Sequence, residues 1–421
     1  MPTRREFLAG MVPLVAFRNE TLDFVEKLIV RTGAIEAQDE AFWSQIQQAF
    51  TLDRTMVNFN NGGVCPSPRV VQEALRRYLE YQNQGPAFFM WRHLEPEIES
   101  VRRRLARTFG VDAEEVAITR NASEALEICL NGFDLQPGDE ILTTSQDYPR
   151  MITTIKQREL RQGVKMVQVK VPPTPKTQKE LLDAVESGIT ARTKLILISQ
   201  VIFLTGQIYP VRDICRMAAK RGLPVIVDGA HAFAQFPFLQ KDLECEYYGT
   251  SLHKWLMAPI GTGMLFVKKA KIEGLWPLMA ANKEQMKDIR KFEEIGTHPA
   301  ANHNAIAEAL TFHEMIGADR KAERLRYLRS RWTSKLLNEP KVKFVTNLAP
   351  EHSCGLTTVH IVGTTPGDLA TWLWEKHSIF VTGITHEDFQ GIRVTPNVYT
   401  TIDEVDRFAE AMLTAATKGI S

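Results

Sequence analysis

The chain has 421 residues, 44% of them hydrophobic and 24% charged, which is enough to bury the cores of two domains. Its 51 basic and 50 acidic side chains nearly cancel, and no basic tract is interleaved with aromatics, so nucleic acid is disfavoured as a partner. The five cysteines, Cys65, Cys129, Cys215, Cys245 and Cys354, form no C-x-x-C pair and are odd in number, which points to buried thiols rather than a metal site or a disulfide framework; no apolar run is long enough for a membrane span.

At the N-terminus, Arg4-Arg5 precede Phe7-Leu8 and a short apolar run. The stretch resembles a twin-arginine export signal, although Pro13 interrupts it and no clear A-x-A site follows. Residues 1–30 therefore read as such a signal or as a disordered tail, and the compartment stays open between export to the periplasm and the cytoplasm. A polar helical stretch runs to about Phe50. Then comes the turn-rich VNFNNGGVCPSP (57–68), whose glycine pair permits close backbone approach, and the helical VVQEALRRYLEYQ. A charged helix from Glu97 ends at Gly110. VAITR (116–120) reads as a strand, and NASEALEICLNGF as a helix capped near Asn121 or Ser123. The apolar runs in PGDEILTTS, VKMVQVKVP, TKLILISQV and LPVIVDGA alternate with helical stretches such as VRDICRMAAKRG. That alternation predicts an α/β fold with a mostly parallel sheet covered on both faces.

Past Trp276 the pattern changes. AIAEALTFHEMIGADRKAERLRYLRSRWTSKLL predicts one long amphipathic helical region. It is followed by CGLTTVHIVG, a helix around DLATWLWEKH, GIRVTP and a final helix from IDEVDRFAEAML, together a smaller α+β unit. With a boundary near residues 295–305, the organisation is an N-terminal segment (31–75), a large domain (76–300) and a small C-terminal domain (301–421), and the crevice between the domains is where a small-molecule site is expected.

The stretch SLHKWLMAPIGTGM (251–264) sets Lys254 among apolar residues, where a cation is costly to bury unless it loses its proton or finds a partner. Upstream, VIVDGAH puts Asp228 just past a buried strand, the end at which open α/β sheets bind ligands. A lysine and a carboxylate so spaced are what pyridoxal phosphate needs, the lysine for a Schiff base and the acid to keep the pyridinium nitrogen protonated. RNASEAL adds a helix N-terminus and the Ser123 hydroxyl for a phosphate, and Ser251 and His253 supply further donors beside the lysine.

In order, FNNGG, RNASEAL, QDYP, VDGAHA, SLHKWL and GTH resemble the fold-type I pyridoxal-phosphate enzymes and, within them, the class V aminotransferase family with its isopenicillin N epimerase-like members. The resemblance covers roughly residues 45 to 415. It implies a large cofactor-binding domain with a mostly parallel seven-stranded sheet, a smaller α+β C-terminal domain, and a homodimer with shared active sites. It makes Lys254 the Schiff-base lysine, Asp228 the pyridinium partner and His231 the hydrogen-bond partner of the ring's phenolic oxygen. Ala122 through its backbone, Ser123, Ser251 and His253 would bind phosphate, Tyr148 would stack on the ring, and Thr297 would reach the phosphate from the partner subunit. Arg393 would grip the substrate's α-carboxylate through a planar bidentate fork, with Asn61 also on the substrate side. No metal is implied.

Two departures from the family pattern shape the expected reaction. VTGITHEDFQGIRV holds no nucleophilic cysteine, and Cys354 lies well upstream in an apparent strand, which disfavours persulfide chemistry. SQVIFLTGQIYP lacks the asparagine that desulfurases place by the phenolic oxygen, leaving His231 for that task. The expected function is thus a pyridoxal-phosphate enzyme acting at Cα of an amino acid, as an aminotransferase or an epimerase. The alternatives are a lyase of desulfurase or kynureninase type and a non-catalytic cofactor-binding module, and the retained Lys254 and Asp228 count against the latter. The substrate side chain is left to loops such as GPAFFMWRH (85–93), whose sequence carries no readable code.

Overall fold

The computed structural model describes residues 36–420, so Arg4, Arg5 and the apolar run after them lie outside the described residues. Helix α1 (Glu40–Gln48) starts at Asp39, whose carboxylate accepts from the Ala41 and Phe42 N–H groups, and it buries Phe42, Trp43 and Ile46. Strand β1 (Val57–Asn58) and the FNNGG turn lead into α2 (Arg69–Asn83) and α3 (Glu95–Phe109); Gly110 closes α3 in the left-handed region at φ 78°. Between α2 and α3 the GPAFFMWRH stretch is helical rather than a loop: a short turn, Pro86–Phe89, runs into a π-helical turn, Met90–Leu94. Phe88, Phe89 and His93 pack on one another there, and Phe89 and His93 on Tyr81.

The α/β alternation then proceeds through β2 (Val116–Thr119), α4 (Ala122–Gly132), β3 (Glu140–Thr144), α5 (Pro149–Gln162), β4 (Lys165–Val169), α6 (Gln178–Ser187), β5 (Thr193–Ser199), α7 (Val211–Ala219), β6 (Val225–Asp228), β7 (Tyr247–Ser251) and β8 (Gly263–Val267). These form a seven-stranded sheet in the order β2-β8-β7-β6-β5-β3-β4. All run parallel except β8, which is antiparallel to both its neighbours. Every residue of β2, β3, β6, β7 and β8 is buried, as expected of strands covered on both faces, and each large apolar side chain so buried contributes about 1.5–3 kcal/mol. Strands β2 to β6 are those the sequence predicts. Strands β7 and β8 are absent from the sequence reading: YYGTS is small and polar at its end, its polarity satisfied internally where Thr250 Oγ1 donates to the Gly229 carbonyl at 3.1 Å, whereas GMLFV is a short apolar run directly after the glycine-rich turn.

The long helical region past Trp276 is two helices, α8 (Ile306–Ile316) and α9 (Ala318–Leu336), separated by Gly317 at φ 85°. Strands β9 (Val342–Phe344) and β10 (Thr357–Ile361), helix α10 (Pro366–His377), strands β11 (Ile379–Phe380), β12 (Thr382–Thr385) and β13 (Gln390–Val394), and helix α11 (Ile402–Lys418) follow. The order β12-β13-β10-β9 makes a four-stranded antiparallel sheet. Strand β11 pairs in parallel with β1, Val57 opposite Ile379, so the segment around FNNGG joins this smaller unit. Val57 and Phe59 share its core with Leu328, Trp332 and Phe408, while Ile306, Leu310 and Leu325 pack with the large sheet; the apolar cores divide within α9. Cys354 is buried in the bend ahead of β10, not in a strand. No described helix is long and apolar enough to cross a membrane.

Candidate active site

Because β2, β3, β5, β6 and β7 point the same way, their C-terminal ends gather on one edge of the sheet, and the motifs follow directly after them. Asp228 ends β6. The residue after it must be glycine, since a Cβ at position 229 would lie 1.9 Å from the Tyr248 ring. Asp228 Oδ1 accepts from the Ala230 N–H at 2.9 Å, leaving Oδ2 for another donor. Burial pushes this carboxyl up to about 6, with the Ala230 N–H and Lys254 pulling it back and Asp147 adding to the rise.

Asp147, which the sequence reading passed over, is the tie beneath that edge. Its Oδ2 accepts from Thr143 Oγ1, Thr144 N and Thr144 Oγ1, and its Oδ1 from Ser199 N and Ser199 Oγ, all at 2.7–2.9 Å. It thereby locks the ends of β3 and β5 together, and Ser199 is the ladder partner of Asp228. Tyr148 follows at the start of α5, exposed, with its ring edge-on to Phe203 at 5.3 Å.

Lys254 sits in the turn after β7. Leu252 N bonds Thr262 O at 3.0 Å, Ala258 N bonds Leu252 O at 3.1 Å, and Met257 takes φ 61°, a strained value for a side chain with a Cβ. The Lys254 Nζ lies 3.2 Å from His231 Nε2. Burial pulls the amine down to about 8, with Asp228 opposing and Arg393 reinforcing the shift. His231 is held well below 6.5 by burial and by the Lys254 and Arg393 charges, so its ring is neutral. When the Lys254 ammonium donates to Nε2, the remaining ring proton sits on Nδ1, which is buried and unpartnered among the described residues.

Around α4 the first-turn N–H groups are apportioned. Ala122 N donates to Ser251 Oγ at 2.9 Å, Glu124 N to the Asn121 cap at 2.9 Å, and Ala125 N to Asn121 O. The Ser123 N–H and hydroxyl have no partner among the described residues, which is the arrangement of an anion site at a helix N-terminus. Gly263 of β8 makes the close approach possible, because a Cβ there would meet the Asn121 backbone at 2.6 Å. His253 stands beside this end, its Nδ1 directed at the Thr262 carbonyl at 3.1 Å. Thr297 is exposed in the loop ahead of the short helix Ala300–Asn304, with no hydrogen bond to another described residue.

Across the cleft, Arg393 of β13 is buried. Its Nη1 donates to Phe203 O at 3.0 Å and its Nη2 to Asn60 Oδ1 at 2.8 Å, while burial pulls the guanidinium down to about 10. Asn60, not Asn61, is thus the FNNGG side chain on Arg393. The Asn61 amide is taken up behind the turn, donating to Asn58 O and to Thr395 O at 2.7 Å and accepting from the Tyr399 hydroxyl. Adjacent residues of an extended segment face opposite ways, so the sequence offers either asparagine and the fold selects the first. Gly62 forms the floor between the two ends: a Cβ there would come within 3.3 Å of His231 Cε1 and 3.5 Å of Arg393 Cζ.

The sequence model of the aminotransferase class-V family matches residues 57–408. The chain belongs to that family. Among curated proteins it is 28% identical to an isopenicillin N epimerase of Streptomyces clavuligerus, over 88% of this chain and 98% of the relative. It is 26% identical to a probable cysteine desulfurase of Halalkalibacterium halodurans, over 76% and 80%. Its fold matches a solved mutant of C-DES with glycine covalently linked to the PLP cofactor at a TM-score of 0.75 and 23% identity, covering 86% of this chain and 98% of that one. The protein is a fold-type I pyridoxal-phosphate enzyme. The side chains present fit that cofactor: an unpartnered His231 Nδ1 for an oxygen, a free Asp228 Oδ2 for a ring N–H, unengaged Ser123 donors for phosphate and a lowered lysine amine for the aldehyde.

Proposed function

We propose that the protein moves the Cα proton of an amino acid, in transamination or epimerisation. When bound, the cofactor supplies an electron-withdrawing ring that makes a bond at Cα easy to break. The residues divide the remaining work. Arg393 binds the α-carboxylate with guanidinium hydrogens left over from Phe203 and Asn60, Lys254 takes and returns the Cα proton, and Asp228 holds the proton on the ring nitrogen. His231 would donate from Nδ1 to the ring's phenolic oxygen, Tyr148 would cover the ring face, and Ser123, Ser251 and His253 would hold the phosphate, with Thr297 reaching in from a second copy of the chain; the Ala122 N–H, expected on the phosphate, is instead spent on Ser251 Oγ, which it orients. An exposed Thr297 with no role in its own site supports that shared arrangement.

The observation that carries the reading is the Lys254 amine, brought to about 8 and set 3.2 Å from His231 between Asp228 and Arg393, with no reactive thiol near it. Cys65 is the thiol that faces Lys254, and burial pushes it up to about 12; Cys354 is buried ahead of β10. Both are inert as nucleophiles, which counts against a desulfurase role. Incubation with candidate amino acids in deuterated water tests the proposal. Label at Cα with keto acid formed marks an aminotransferase, and label with scrambled chirality and no keto acid marks an epimerase. Sulfide and alanine released from cysteine at a comparable rate would overturn both. For the paired arginines, the proposal is that residues 1–40 export a folded reporter and that Arg4→Lys with Arg5→Lys abolishes it; retention of the unmutated fusion in a competent host refutes this.

A further inference from the structure

Lys321, in the first turn of α9, is fully buried, and its amine is absent from the scheme above. Nζ donates to the carbonyl oxygen of Trp255, the residue after Lys254. The titratable groups facing it are the Cys65 and Cys354 thiols and the His313 ring, with no carboxylate among them. An amine in such a place is expensive. Burial pulls it down to about 7, and a methionine would fill the same volume without desolvation. Packing therefore does not explain why a lysine stands there.

Its position relative to Lys254 does. The Cys65 N–H donates to the His253 carbonyl at 3.0 Å, which fixes the peptide unit before Lys254, and Lys321 fixes the Trp255 carbonyl on the other side. Cys65 is tied in turn: its thiol donates to Asn61 O at 3.2 Å and accepts from Asn397 Nδ2 at 2.9 Å, a few residues beyond Arg393. One buried polar chain thus joins α9, the turn carrying Lys254 and the segment after β13. We propose that Lys321 is a positioning residue for the cofactor-bearing turn: by holding the Trp255 carbonyl it sets the direction in which the Lys254 amine enters the site and couples that direction to α9. The inference rests on the reading of Lys254 as the cofactor lysine.

The test compares full-length wild type with Lys321→Met in equilibrium binding of pyridoxal phosphate, thermal melting and the position of the borohydride-reduced adduct by peptide mass. Lys321→Met keeps its melting point to within a few degrees and its adduct at Lys254, but binds the cofactor about tenfold more weakly, the scale of one buried hydrogen bond. Leu325→Ala, a packing change on the same helix, lowers melting without that loss. Cofactor affinity within about twofold of wild type in Lys321→Met, or a loss that tracks melting equally in both variants, overturns the proposal. An adduct on another lysine in the wild type overturns the reading of Lys254 itself, whatever Lys321→Met does. Should Lys321→Met not fold, hydrogen exchange of the wild type with and without pyridoxal phosphate decides: protection spreading from residues 252–258 to 318–325 supports the coupling, and unchanged exchange at 318–325 ends it.

Discussion

Lys254 is the residue on which the proposed chemistry turns, and its environment makes a pH-dependent forecast. An amine attacks an aldehyde only when neutral; with its ammonium disfavoured by burial, Lys254 is neutral above about 8 rather than above 10.5. Capture of pyridoxal phosphate by the cofactor-free protein is therefore expected to rise with pH through about 8 and then level off, followed by absorbance. A rate still climbing towards 10 shows an ordinary exposed lysine. Lys254→Ala is expected to remove the reducible adduct from the tryptic map and all turnover with it. At the other end of the cleft, Arg393→Lys keeps the charge and loses the fork, and is expected to weaken amino-acid binding by about 2 kcal/mol. Amines lacking a carboxylate are the control, and equal weakening for them removes Arg393 from the carboxylate.

At the level of elements, the phosphate end depends on how closely β8 lies under α4. Gly263 leaves no room for a methyl group, whose nearest neighbours would be three backbone atoms of Asn121 at 2.6–2.7 Å. Backbone does not yield as a flexible side chain does. Gly263→Ala is accordingly expected to lower stability by about 3 kcal/mol in a urea melt and to push the first turn of α4 away from Ser251, reducing cofactor affinity as well. A variant with wild-type midpoint and affinity would mean that the junction is looser than the contacts indicate. The same logic explains Gly229, which is set by the Tyr248 ring rather than by its own dihedral angles.

For the whole molecule, the shared-site proposal predicts sedimentation at twice the mass of the chain. It also makes a sharper demand on Thr297. Thr297→Ala protein, weakened in phosphate binding, is expected to regain one tight cofactor site per hybrid when mixed with Lys254→Ala protein, because each hybrid then contains one site with both residues intact. Titration of the mixture with pyridoxal phosphate reads this directly; no gain on mixing places Thr297 in its own chain's site or in none.

Asp228, Lys254 and the Ser123 turn were legible in the sequence because each depends on neighbours along the chain: a carboxylate at the end of an apolar run, a lysine in an apolar turn, a hydroxyl at a helix start. The strands β2, β3, β5 and β6 were legible for the same reason, since burial on both faces favours apolar runs, and the edge strand β4, partly exposed, was legible from its β-branched residues. What depends on contacts between distant segments was not. Only the tertiary structure decides that Asn60 rather than Asn61 meets Arg393, because pairing of β1 with β11 and the Asn60 bridge to Thr395 set which face of FNNGG looks inward. Likewise Asp147 becomes a tie only once β3 and β5 lie side by side, and Lys321 is an ordinary helix lysine until α9 docks it, without a counter-ion, on the carbonyl next to Lys254. Local pattern determines which elements form and which of their ends carry the candidate side chains, whereas orientation within the site comes from pairings tens to hundreds of residues apart, which leave no periodicity in the chain.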